Sequence, residues 1–182
     1  MNQVGSSPTG WSLFAPEGLV ARIAELLFAV CRWLAGLALI LTIAVVTAEI
    51  VMRNFFGQSL QLSEEFGGYL LVATMFLGFA DSYRAGALMR IEMIYDALTP
   101  RARAIVDLVY DVLAFVAVGI LAWFGLRMVI SSINRGSQAP TLIETPLWIP
   151  QLSIPIGLSV LLVALALAVA DDVARLLKQG TR

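Results

Sequence analysis

Hydrophobic residues make up 59% of this 182-residue chain and charged residues only 14%, with a formal net charge of −1. That balance is too apolar for an ordinary soluble domain, and the scattered basic residues leave no nucleic-acid footprint. There is no histidine and one cysteine, Cys31, which removes the usual haem ligand, the commonest general base, and any internal disulfide or paired redox thiol.

Residues 1–16 are small and polar, including Gly5, Ser6, Ser7, Pro8, Thr9 and Gly10, and are expected to form a mobile leader. A cleaved signal peptide does not fit, because the apolar run starts late, is too long and lacks a small-residue cleavage site after it. From Pro16 onward, Leu19, Ile23, Leu26, Leu27 and Val30 recur at helical spacing, with Glu17, Arg22 and Glu25 off that face. The pattern predicts an interfacial helix leading into a first span.

A spanning helix needs roughly 20 mostly apolar residues, and the chain supplies that length four times. The first span runs from Trp33 to Phe55, interrupted only by Glu49 and Arg53 near its far end. The second covers Ser63 to Tyr83 and is uncharged from Phe66 to Ala80; the third covers Val106 to Ile130 and is uncharged from Val112 to Leu126. The fourth lies within Thr145–Ala170, which holds no charge at all. Glu64, Glu65, Asp107 and Asp111 then fall at headgroup level. The prediction is an all-α integral membrane protein with four transmembrane helices and short amphipathic interfacial helices. Its parts are a leader (1–16), one transmembrane domain (17–178) and a C-terminal tail (179–182).

Orientation follows from Lys and Arg in the short loops. Arg22, Arg32, Arg84, Arg90, Arg101, Arg103, Arg175, Lys178 and Arg182 fall on one side; only Arg53, Arg127 and Arg135 fall on the other. Both termini are therefore expected in the cytoplasm, with Trp33 and Trp148 as interfacial anchors.

Charges within spans are costly and functional by default. Glu49 and Arg53 stand four residues apart with the acid first, the favourable helical order, so a self-neutralised pair is expected; a proton relay through Glu49 is the alternative. Asp107 and Asp111 share a helix face with Arg103 in a salt-bridge ladder, and Asp81 with Arg84 closes the second span in the same manner. No phosphate-binding glycine loop or clustered carboxylates occur, so no catalytic, cofactor or metal site is predicted. Small residues at Ala44, Ala48, Gly67, Gly68, Gly78, Ala164, Ala166, Ala168 and Ala170 are expected to face other helices.

Three stretches combine into a pattern. The first is Arg53-Asn54-Phe55-Phe56-Gly57, leading to Ser63-Glu64-Glu65, where a Gly turn precedes a helix capped by Ser63 with two acids on its dipole. The second is Phe76-Leu77-Gly78, then Arg84-Ala85-Gly86 and a segment whose Ile91, Ile94, Tyr95 and Leu98 form one apolar stripe; Thr99 and Pro100 read as the cap and first residue of the next helix. The third is Pro146-Leu147-Trp148, followed by Ile154-Pro155-Ile156-Gly157. In this order, over roughly residues 20–175, the chain resembles the small membrane subunit of tripartite ATP-independent periplasmic (TRAP) transporters, the DctQ type. It departs from that pattern at Leu88, where His is frequent, at Leu62, where Trp is frequent, and at Glu92, where Asp is common.

The resemblance implies a non-catalytic partner in a secondary transporter. Its partners would be a large membrane subunit carrying the substrate and sodium sites, a periplasmic binding protein delivering an organic acid-type solute, and the lipids of the bacterial inner membrane. Glu49, Arg53, Ser63, Glu64, Glu65, Gly78, Arg84, Pro146, Trp148 and Pro155 are the structural or partner-interface candidates, with Arg53, Glu64 and Glu65 expected to pair at the hairpin of the first two spans. A self-sufficient oligomeric four-helix channel or exporter is the competing reading, and it needs an inward-facing charge near mid-span.

Overall fold

Helix-forming apolar runs, punctuated by Gly and Pro, dictate the elements. The computed structural model describes residues 19–59, 62–85, 99–141 and 144–180. The predicted leader, the Arg-x-Gly turn at Gly86, the amphipathic segment up to Leu98 and the last two residues of the tail lie outside them. Within the described residues the chain is helical: α1 (Leu19–Phe56), α2 (Leu62–Arg84), α3 (Pro100–Arg135), the single turn α4 (Trp148–Gln151) and α5 (Ser153–Gly180). Among the described residues the only β-type pairing is an isolated antiparallel bridge between Gln138 and Pro146.

Local chemistry accounts for the boundaries. Gly57 (φ +66°) ends α1 and Gly136 (φ +59°) ends α3, both in the left-handed region that glycine enters without strain. Thr99 caps α3 as predicted, its hydroxyl accepting from the Ala102 N–H at 3.4 Å with Pro100 in the first helical position. At the other junction Pro155 has no N–H to give, so it is accommodated within the opening turn of α5, where helix donors lack partners anyway. The cap predicted at Ser63 is displaced: α2 begins at Leu62, and Ser63, Glu64 and Glu65 all lie in its first turn.

Three of the described helical stretches are long and apolar enough to cross a membrane: Arg22–Phe56, Arg101–Arg135 and Trp148–Ala174. The 23-residue α2 is long enough but less apolar, diluted by Glu64, Glu65, three glycines and Asp81. The interfacial helix expected before the first span is not separate. It is the start of α1, continuous over 38 residues, or about 57 Å at 1.5 Å per residue.

The packed faces are lined by small residues. Along α1, Ala24, Phe28, Cys31, Ala35 and Ala38 are buried, Thr42 and Val45 half-buried, and Glu49 buried again. Their spacing alternates four and three, the period of helices that pack in a left-handed supercoil. The larger side chains picked out by sequence, Ile23, Leu26, Leu27 and Val30, lie on the opposite, exposed face. In lipid this inversion is expected, since hydrocarbon is as apolar as leucine and close backbone approach drives association instead. On α3 the same period runs through Asp111, Ala114, Val118, Ala122, Gly125, Val129 and Ser132.

The helices form a row in the order α1, α2, α5, α3, with only slight contact between α1 and α5. The main cluster, Ala24, Phe28, Cys31, Ala35, Leu77, Ala80, Val160 and Ala164, lies where α1, α2 and α5 meet. At the tightest crossing Gly157 of α5 rests on the backbone of α2; a Cβ there would stand 2.1 Å from the Phe76 carbonyl oxygen.

Candidate functional site

The polar side chains gather at the two ends of the row. One is the hairpin end, where α1 and α3 finish and α2 and α5 begin; the other holds the end of α2 and the first turns of α1 and α3.

At the hairpin end the linker between α3 and α4 folds back on itself. The Ala139 N–H donates to the Thr145 carbonyl at 2.9 Å and the Leu147 N–H to the Ser137 carbonyl at 3.0 Å. Pro146 belongs to this clasp, and Trp148 opens α4 directly after it with its side chain partly exposed. The clasp carries Thr141 to α2, where its hydroxyl donates to the Glu65 carboxylate at 2.5 Å. Thr145 brings a second hydroxyl to the same carboxylate, and Tyr69 lies at 3.5 Å. Glu65 is thus buried at 6% exposure yet satisfied, as a buried carboxylate must be. Beside it lies an open, acid-rimmed cavity of about 890 Å³ whose walls include Glu64, Glu65, Tyr69, Thr141 and Glu144.

The expected pairs at this end do not form. Glu49 is buried and accepts a hydrogen bond from Ser59 at 2.6 Å across the α1–α2 turn; its other oxygen, Oε2, is buried with no hydrogen-bond partner among the described residues. Arg53 points outward, one turn further on, and makes no ion pair with Glu49, Glu64 or Glu65. The reason is angular. Glu49 lies on the α1 stripe turned to α2, and Arg53 has rotated out of it. Glu64 is exposed, on the stripe of α2 that also shows Gly68, Leu71, Met75 and Phe79.

At the opposite end, Asp81 and Arg84 do not pair with one another; each reaches α1. The Arg84 guanidinium donates to Glu25 and stands 4.4 Å over the Phe28 ring, while Arg32 meets Asp81 at 3.5 Å. The order of these contacts, Glu25 with Arg84 and Arg32 with Asp81, follows the antiparallel course of α1 and α2. Tyr83 donates to the buried Asp111 carboxylate at 2.8 Å, tying α2 to α3. Asp171 and Asp172 near the end of α5 are also buried, although no local pattern singles them out.

Among the small residues proposed for close packing, Gly78 and Gly67 have open space where a Cβ would be, and Ala44 and Ala48 are exposed. Gly157, noted only as part of a motif, is the close contact, together with Gly125 against Ile154 and Pro155. Thr141 escaped sequence reasoning because its partner is 76 residues away.

Long apolar helices whose polar side chains gather at their ends define a multi-pass helical membrane protein. Over residues 42–178 the chain matches the family of tripartite ATP-independent periplasmic transporters, DctQ component. Nothing matches among curated proteins. The match spans most of the chain, which therefore belongs to the DctQ family: it is the small membrane component of a bacterial transporter that works with a large membrane subunit and a periplasmic binding protein.

Proposed function

We propose that this chain is the non-catalytic brace of its transporter. It crosses the inner membrane four times, α2 included, with both termini cytoplasmic, and holds the large subunit in place during sodium-coupled uptake of an organic acid-type solute. The last clause rests on resemblance to the family. The bracing role rests on one observation, the open row of helices. Secondary transporters that move solute typically build the site from broken helices near the bilayer midplane. Here α1, α2 and α3 run unbroken, and the proline-marked junction of α4 and α5 lies at the hairpin end. Glu49, the residue a channel would turn inward, is held against Ser59 at the hairpin.

The site residues divide accordingly. Glu49, Ser63, Glu65, Arg84, Pro146, Trp148 and Pro155 set the shape of the two ends, while Arg53, Glu64 and Gly78 are presented to the large subunit. Copurification of the full chain with a tagged large subunit tests the proposal, combined with solute flux into vesicles holding either component alone or both. Stable association with no flux through this chain alone is expected. Flux through this chain by itself would overturn the bracing role.

A further inference from the structure

Between α3 and α5 runs a groove of about 280 Å³ lined by Gly119, Ala122, Trp123, Leu126, Pro155 and Ser159. It exists because small side chains coincide: at Gly119 a Cβ would meet nothing nearer than Leu162 at 3.9 Å. Its volume is several times the ~30 Å³ share of a water molecule, and its walls offer water little. The one hydroxyl, Ser159, already donates to the Pro155 carbonyl at 2.6 Å. The space suits hydrocarbon.

A cation stands at the rim. The Arg127 guanidinium lies 5.7 Å from the centre of the Trp123 ring, which forms one wall. Arg127 is exposed and has no carboxylate within ion-pair reach among the described residues. It directly follows the uncharged run Val112–Leu126 and lies eight residues before the end of α3, about 12 Å along the axis. With α3 across the bilayer, the end of that uncharged run falls where hydrocarbon gives way to headgroups, the level at which tryptophan also gathers. The abundant anion there is a lipid phosphate.

We propose that this groove is a phospholipid site: one acyl chain lies along Gly119, Ala122 and Ser159, and the phosphate rests on Arg127 beside Trp123. The proposal requires α3 to cross the bilayer and does not depend on the bracing role. A helix of the large subunit is the rival occupant, but it would have to bring an acid to Arg127.

The test uses the full chain purified in detergent, with native mass spectrometry for retained lipid and thermal unfolding with added 1-palmitoyl-2-oleoyl-phosphatidylglycerol. Arg127→Gln removes the charge; Ser159→Leu fills the groove from an exposed position of α5. Both variants should lose the retained lipid, and Arg127→Gln should bind the added one about five- to tenfold more weakly, the weight of one cation at an anionic lipid surface. Arg127→Lys should keep it. Equal retention in wild type and both variants would overturn the proposal. So would equal stabilisation by inorganic phosphate alone, or cross-linking of a cysteine at position 159 to the large subunit in a complex that holds no lipid there.

Discussion

Two glycines show how residue-level meaning depends on neighbours. Gly78 and Gly157 are equally plausible packing positions in sequence, yet only Gly157 meets backbone, with the Phe76 carbonyl carbon 2.4 Å from where a Cβ would sit. Backbone cannot rotate away as a side chain can, so α5 must shift. Gly157→Ala is expected to reach the upper end of the ~1–3 kcal/mol that overpacking costs. Gly78→Ala should change the chain's own stability by less than ~0.5 kcal/mol; thermal unfolding in detergent separates the two. At the hairpin end, Glu65 is held by Thr141 and not by Arg53. Glu65→Arg should therefore lower the yield of complex with the large subunit, and adding Arg53→Glu should not restore it. Recovery to the wild-type yield would reveal an ion pair between them. Thr141→Val should leave assembly closer to normal but speed amide exchange at Ala139 and Leu147, whose N–H groups close the clasp.

At the scale of elements, the decisive feature is which face each helix buries. The α1 stripe of Ala24, Phe28, Cys31, Ala35 and Ala38 recurs every three and four residues, so a larger side chain anywhere along it pushes α2 away. Ala35→Leu is expected to destabilise by ~1–3 kcal/mol. The ion pairs at the other end contribute less. With side chains 58% and 34% exposed in Arg32–Asp81, and Glu25 equally open toward Arg84, each should be worth about 0–1 kcal/mol. Melting curves of Ala35→Leu and Asp81→Asn should rank in that order; the reverse ranking would mean that charge, not packing, joins α1 to α2.

For the whole molecule, the row leaves both edges open, α1 on one side and α3 on the other. A closed bundle would hide most of its apolar surface from lipid, whereas this arrangement keeps long faces free for lipid or protein. Its orientation is testable directly. In a Cys31→Ala background, cysteines replacing Gln58 or Ser137 should react with a membrane-impermeant maleimide added outside intact cells. A cysteine replacing Gln179 should react only after permeabilisation. The opposite pattern would invert the topology.

The sequence by itself determined the elements. Apolar length, the Thr99–Pro100 start and the glycine turn at Gly57 act within a few residues of chain, so the long helices were legible, as was the DctQ resemblance carried by the ordered motifs. The end of α3 at Gly136 was not read. Tertiary structure alone decided which faces meet. In lipid the large apolar side chains carry no inward drive, so the stripe of Ile23, Leu26 and Val30 stayed outside while Ala24, Phe28 and Cys31 went in. It also decided polar partners. Glu49 turned to Ser59, Arg84 to Glu25, and Glu65 to a threonine 76 residues away, because those choices depend on the rotation and order of whole helices, and no local pattern encodes either.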